Sequence, residues 1–169
     1  MNAQVLFKGK PVHLSGHLPA MHAKVPDFRL VDKDLNDKSL KDFAGKKKIL
    51  TTVPSLDTGV CSSMTKHFND LAKKHPNLLI ITVSADLPFA QKRFCEHEKV
   101  GNVVILSMMR DKEFGKAWGL MMQDGPLAGI LARSVWVLDE SDKVMYCELV
   151  KEITTEPDYL KAMSLLEAK

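Results

Sequence analysis

Three cysteines carry the reactive potential of this 169-residue chain. Cys61 is the most informative of them. It follows Pro54-Ser55-Leu56-Asp57-Thr58-Gly59-Val60, a loop between a β-branched stretch that stops at Pro54 and an apolar pattern of helical period. With Thr58 as N-cap, Cys61 falls at N3, where unpaired backbone N–H groups and the positive end of the helix dipole stabilise a thiolate. A thiol so placed should have a lowered pKa and act as a nucleophile. The Thr58 hydroxyl would point at the sulfur, and Pro54 would shield the pocket from water. The plain alternative is a small buried hydrophobe at the edge of the helix's apolar stripe, since free cysteine is among the most buried residue types. Spacing alone leaves both readings open.

A reactive thiolate also needs a compensating cation. Arg133 is the candidate, because it stands in Leu131-Ala132-Arg133-Ser134-Val135-Trp136-Val137, a strand-like run otherwise free of charge. Its alternatives are an edge-strand charge that discourages aggregation, or the partner of a core carboxylate. Cys95 lies 34 positions after Cys61, in Pro88-Phe89-Ala90-Gln91-Lys92-Arg93-Phe94-Cys95-Glu96-His97, and belongs to a separate helix. That is not C-x-x-C spacing. Thiols on different helices can exceed the roughly 7 Å Cα separation a disulfide tolerates, so joining them would require local unfolding. Cys147 has the alternating context of a half-buried strand and reads as packing.

Other chemistries find little support. The six His and three Cys show neither C-x-x-C nor H-E-x-x-H spacing, so no metal is expected. There is no G-x-G-x-x-G or P-loop, and no cofactor is expected. His67 sits six residues after Cys61, on a different side of the helix, which disfavours a cysteine-protease dyad. The nine Met read as irregular core or pocket lining.

The elements that must position these residues follow from periodicity. Val5-Leu6-Phe7 and Val12-His13-Leu14 flank Lys8-Gly9-Lys10-Pro11 as a small hairpin. Phe28 to Val31 is a short strand, and Ser39 to Phe43 a helical turn. Ile49 to Val53 is a strand, followed by a helix through Val60, Met64, Phe68, Leu71 and Ala72. Leu78 to Val83 is a strand covered on both faces. A helix opened by Asp86 or Leu87 and Pro88 and running to about Glu98, a strand Val103 to Met108 and a short helix around Phe114 to Leu120 continue the alternation. Ala132 to Leu138 and Lys143 to Leu149 form an antiparallel hairpin, and Pro157 to Ala168 an amphipathic helix. The predicted fold is α/β, one domain over 1–169, with a central mixed sheet flanked by helices and an edge supplied by the hairpin.

Composition narrows the partners. A net charge of +3, 45% hydrophobic and 27% charged residues describe an ordinary globular chain long enough for a core without disulfide staples. Of 24 cationic residues only Arg29, Arg93, Arg110 and Arg133 are arginine, which argues against nucleic acid. Lys46-Lys47-Lys48 reads as a solvated strand entrance. The longest apolar runs, Leu78 to Ile81 and Val103 to Leu106 among them, are four residues each, far below the roughly 18 a membrane span needs. Lys8, Lys10 and His13 interrupt any secretory apolar region, so a reducing cytoplasm is expected.

Pro54, Thr58 and Cys61 match the pattern P-x-x-x-[TS]-x-x-C, and on it the chain resembles the peroxiredoxin family. Three further segments resemble its bacterial thiol peroxidase branch, the atypical 2-Cys type: Ser84 to Cys95, Asp124-Gly125-Pro126-Leu127-Ala128-Gly129 leading to Leu131-Ala132-Arg133, and Glu152 to Tyr159. The resemblance implies a thioredoxin-like fold with an added N-terminal hairpin, a homodimer, and antioxidant reduction of alkyl hydroperoxides or hydrogen peroxide with thioredoxin as reductant. It implies no metal, haem or flavin. Carried over residue by residue, it makes Cys61 the peroxidatic and Cys95 the resolving cysteine, joined as an intramolecular disulfide, with Thr58, Arg133 and Pro54 around the sulfur. Cys147 and Ser63-Met64 depart from the family pattern. Two alternatives remain beside the peroxidase: a thiol-disulfide exchange protein or peroxide sensor using the same cysteines, and a non-catalytic interaction module.

Overall fold

The computed structural model describes residues 3–167. The chain opens with the expected hairpin, β1 (Gln4–Phe7) and β2 (Lys10–Ser15), turning through Lys8 and Gly9, both at positive φ. Strands β3 (Leu30–Asp32) and β4 (Asp37–Lys38) follow, then a 3₁₀ turn at Leu40–Phe43. The alternation comes next: β5 (Lys48–Thr52), α1 (Gly59–Lys74), β6 (Leu79–Ser84), α2 (Pro88–Glu98) and β7 (Val104–Ser107). A short α3 (Phe114–Ala117) and β8 (Met121–Met122) lead to the hairpin β9 (Ser134–Leu138) and β10 (Val144–Leu149), and α4 (Tyr159–Glu167) ends the described chain. Ala168, expected to close that helix, lies outside the described residues.

The main sheet runs β10-β9-β5-β6-β7-β3-β4. Strands β5, β6 and β7 are parallel neighbours, and the others join antiparallel, so the mixed sheet and its hairpin edge are as the pattern predicts. The second edge, β3 with β4, was not foreseen beyond β3. Neither was β8, which pairs with β2 as the third strand of a small separate sheet. Two-residue strands have no room for a period, so only their tertiary partners define them.

Alternate side chains of each central strand face opposite layers. Ile49, Ile80, Ile105, Val135 and Val137 pack with Phe68 and Met64 of α1, Phe94 of α2 and Met163 of α4. Leu50, Ile81, Leu106, Trp136 and Leu138 pack on the other face with Phe28, Phe114 and Trp118. This two-sided cover explains the continuous apolar runs in β6 and β7. Lys48 corrects the reading of the basic run as a solvated entrance: it is fully buried in β5. The Asp142 carboxylate, from the β9–β10 turn, pairs with it and makes burial of the charge tolerable.

Candidate active site

The first turn of α1 forms as its loop predicts. Thr58 is the N-cap with extended backbone (φ −93°, ψ 146°), and its carbonyl accepts the first intrahelical bond, from Ser62 N–H at 2.9 Å. Cys61 is therefore N3. The N–H groups of Gly59, Val60 and Cys61 lie ahead of that first bond and are not used by the helix ladder. The Thr58 side chain does something other than predicted: its hydroxyl donates to the Ser55 carbonyl at 3.1 Å, closing the loop on itself rather than pointing a hydrogen bond at the sulfur.

Cys61 is completely buried and packs with Val53, Leu56 and Met64. The helix start and the apolar stripe coincide at this residue. Thr65, one turn on, donates its hydroxyl to the Cys61 carbonyl at 2.8 Å and ties that turn together.

Arg133 lies immediately before β9 rather than within it, and only 1% of it is exposed. Its Nε and Nη2 both donate to the Ile153 carbonyl, at 3.1 and 2.9 Å, while Nη1 stands 3.6 Å from Met64 Sδ. Met64 follows Cys61 by one helical turn, so the guanidinium sits over the start of α1. Among the described residues no carboxylate pairs with Arg133, which removes the core-carboxylate alternative, and burial removes the exposed-edge one. A buried cation without an anion is costly and marks a place where one is expected to form or bind.

Pro54, Thr58 and Arg133 line one cavity of about 370 Å³ whose other walls include Phe7, Leu127 and Ile130. The hairpin reaches this wall through a second tie. Leu6 N–H donates to the Lys151 carbonyl at 2.7 Å, Ile153 N–H donates to the Leu6 carbonyl at 2.9 Å, and Glu152 accepts the N–H groups of Lys8 and Gly9 at 3.1 and 3.0 Å. The same short segment therefore docks the hairpin and holds Arg133.

Cys95 is in the last turn of α2 and 9% exposed. It belongs to the same buried cluster as Cys61 but opens toward a different cavity, of about 320 Å³, lined also by Lys33, Lys38 and Phe43. Burial pushes its thiol pKa up, and the nearby Lys33 charge works against that. All three cysteines are free thiols. Cys147 is half-buried on β10, opposite Trp136, with its pKa pushed up to about 12 by burial first and the Glu148 charge second. His67 stacks on the Tyr159 ring at 3.8 Å between centroids, a packing role.

The sequence marks Met64 only as a departure from the family pattern and does not single out Ile153. Met64 could be placed one turn after Cys61 from helical period alone. The Ile153 carbonyl has no side-chain signal, because backbone acceptors are invisible to residue type.

Residues 21–163 match the Redoxin family model. The chain is 49% identical to a thiol peroxidase of Leptospira interrogans over 167 residues, covering 98% of each chain. It is 44% identical to a thiol peroxidase of Staphylococcus haemolyticus over 160 residues, covering 95% of each. A peroxiredoxin-like protein from Aquifex aeolicus has a crystal structure that superimposes with a TM-score of 0.87 at 40% identity, covering 96% of both chains.

Proposed function

The chain belongs to the Redoxin family, and on that premise we propose how it works as a peroxide-reducing thiol peroxidase: Cys61 attacks the peroxide, Cys95 resolves the product, and thioredoxin restores both thiols. The observation that carries this reading is Arg133, a fully buried guanidinium with no carboxylate partner among the described residues, facing the cavity that begins at Thr58 and Pro54. The charge it lacks is the one the reaction produces.

In the first step the Cys61 sulfur attacks the terminal peroxide oxygen. An S–O bond forms as the O–O bond breaks, the sulfur is oxidised by two electrons to a sulfenic acid, and the leaving alkoxide takes a proton from solvent as alcohol. Arg133, held in place by the Ile153 carbonyl, stabilises charge as the O–O bond lengthens, and the free N–H groups of the first turn of α1 favour negative charge at the same end. Pro54 limits water. The apolar walls from Phe7, Leu127 and Ile130 suit the organic part of an alkyl hydroperoxide.

In the second step the Cys95 thiol displaces water from the Cys61 sulfenic acid, giving a disulfide. The two residues begin on separate helices, so α1's first turn and the end of α2 must open locally. A dithiol reductant of the thioredoxin type returns both to thiols by exchange. The same reading carries a homodimer in the cytoplasm. A thiol-disulfide exchange protein would have no use for a buried cation over the nucleophile, which favours the peroxidase.

The test is a coupled assay with cumene hydroperoxide, thioredoxin, thioredoxin reductase and NADPH. Peroxide-dependent loss of NADPH is expected; its absence at micromolar enzyme overturns the reading.

A further inference from the structure

We propose that Asp86 is a positioning residue for Cys61: its carboxylate fastens the loop that starts the Cys61 helix to the strand end from which the Cys95 helix departs, and so governs how readily the two cysteines approach. The inference rests on the cysteine roles given above.

Asp86 stands between β6 and α2, two residues before Pro88. Its Oδ1 accepts the Ser55 hydroxyl at 2.7 Å, and its Oδ2 accepts both the Leu56 N–H at 2.8 Å and the Ser84 hydroxyl at 2.7 Å. Ser55 and Leu56 belong to the loop after β5, and Ser55 also supplies the carbonyl that receives the Thr58 N–H and hydroxyl. Two hydrogen bonds to an ionised acceptor therefore hold the residues on which the N-cap of α1 is built.

The other side of the latch is rigid. Ser84 Oγ accepts Gln91 Nε2–H at 3.0 Å, and the same nitrogen donates to the Leu106 carbonyl at 2.9 Å. A carbonyl only accepts, so the orientation of the Gln91 amide is fixed. The Asp86 carbonyl in turn accepts the Ser107 hydroxyl at 2.6 Å. Strand β6, helix α2 and strand β7 thus all set the position of this carboxylate, while the loop it grips is irregular backbone.

Attack and resolution make opposite demands on that loop. Peroxide attack needs the first turn of α1 folded beneath Arg133. Disulfide closure needs Cys61 and Cys95 to leave separate helices, which moves residues tied within a few positions of Ser55 and Leu56. Asp86 touches neither sulfur among the described contacts, so it acts through the loop: its bonds favour the attack-ready arrangement and oppose closure.

The experiment treats wild type and Asp86→Ala with one equivalent of cumene hydroperoxide and follows two rates by rapid quench and mass mapping. One is the appearance of dimedone-trapped Cys61 sulfenic acid, the other the closure of the Cys61–Cys95 disulfide. The variant should slow the first about tenfold and speed the second about threefold, so that the ratio moves in one direction only. Asp86→Asn, retaining one acceptor oxygen, should fall between. Ser55→Ala, which removes the Ser55 bond to Asp86 together with the Ser55 Oγ acceptor of the Asp57 N–H and leaves the carboxylate, should slow the first rate and speed the second by smaller factors, and it answers the question even if Asp86→Ala fails to fold. Unchanged rates, or a fall of both by one common factor, overturn the latch. If wild type forms no Cys61–Cys95 bridge, the cysteine assignment fails and the latch with it; a normal bridge with rates indifferent to Asp86 and Ser55 removes the latch alone.

Discussion

The Arg133 guanidinium turns two of its three nitrogens onto a single acceptor, the Ile153 carbonyl, at 3.1 and 2.9 Å. Nη1 is left toward Met64 Sδ and the start of α1. A planar fork locked by a backbone oxygen loses little freedom when charge appears in front of it. Lysine has one nitrogen and cannot hold the carbonyl and face the cavity in the same geometry. Arg133→Lys should therefore slow the single-turnover attack of cumene hydroperoxide on the order of 10²-fold, with Arg133→Ala slower still. Stopped-flow rates equal to wild type in both variants would reduce Arg133 to packing.

The proposed cysteine roles should separate kinetically. Cys61→Ser should abolish turnover and the first attack together, because the attacking atom is gone. Cys95→Ser should retain the first attack at near the wild-type rate while steady-state turnover falls to background, with sulfenic acid accumulating on Cys61. Mass mapping after one equivalent of peroxide checks both. Equal loss of the first attack in the two variants contradicts the assignment, and a bridge from Cys61 to Cys147 would reassign the resolving role.

How much of this could be read from the sequence depends on the kind of contact. Thr58 as N-cap and Cys61 at N3 follow from local rules, since a strand end at Pro54 and a helical period from Val60 leave few places for the cap. The pairing of β5, β6 and β7 followed from apolar runs separated by helices. The direction of the Thr58 hydroxyl did not follow, because the Ser55 carbonyl lies close enough to take it. The support of Arg133 by the Ile153 backbone, and the burial of Lys48 against Asp142, join positions far apart in the chain through groups that carry no periodic signal.

Cys147 should be a poor nucleophile. Its pKa is pushed up to about 12, against an ordinary cysteine near 8.5, so the thiolate fraction at pH 8 is lower by roughly 10³-fold. Iodoacetamide labelling of the native protein at pH 8, followed by peptide mapping, should modify Cys147 more slowly than glutathione by at least about 10²-fold. Labelling as fast as glutathione would mean that β10 opens readily.

Acid should weaken the fold through carboxylates bonded in the native state. The backbone N–H of Gly9 is the chief cause holding Glu152 below its ordinary range; the His13 N–H does this for Asp124, and Arg110 for Asp37. Groups with lowered folded pKa values bind fewer protons folded than unfolded, so their stabilisation is complete above the ordinary carboxylate range and is lost as pH falls through the folded values. Urea midpoints should be flat from neutrality down to that range and decline below it. Glu152→Gln should lower the midpoint at neutral pH and make the acid decline shallower. A midpoint that rises on acidification would show that these bonds are not net stabilising.

Lys48 and Asp142 give the sharpest stability test, because Lys48 is fully buried in β5, Asp142 reaches it from the β9–β10 turn, and the partners differ in backbone demand. Asp142 has φ +63°, a conformation asparagine also adopts readily, so Asp142→Asn removes the charge with little added strain. It leaves the Lys48 ammonium buried without its anion, and should cost about 3–5 kcal/mol. Lys48→Met alone leaves Asp142, at the rim of the same site, with partial access to water, and should cost less. Combining the two removes both charges and should recover most of the loss, a coupling between the substitutions of at least about 2 kcal/mol, at the upper end of what contacting pairs show. Urea denaturation of the four proteins measures that coupling directly. Strictly additive losses would show that Lys48 and Asp142 contribute no net interaction to stability.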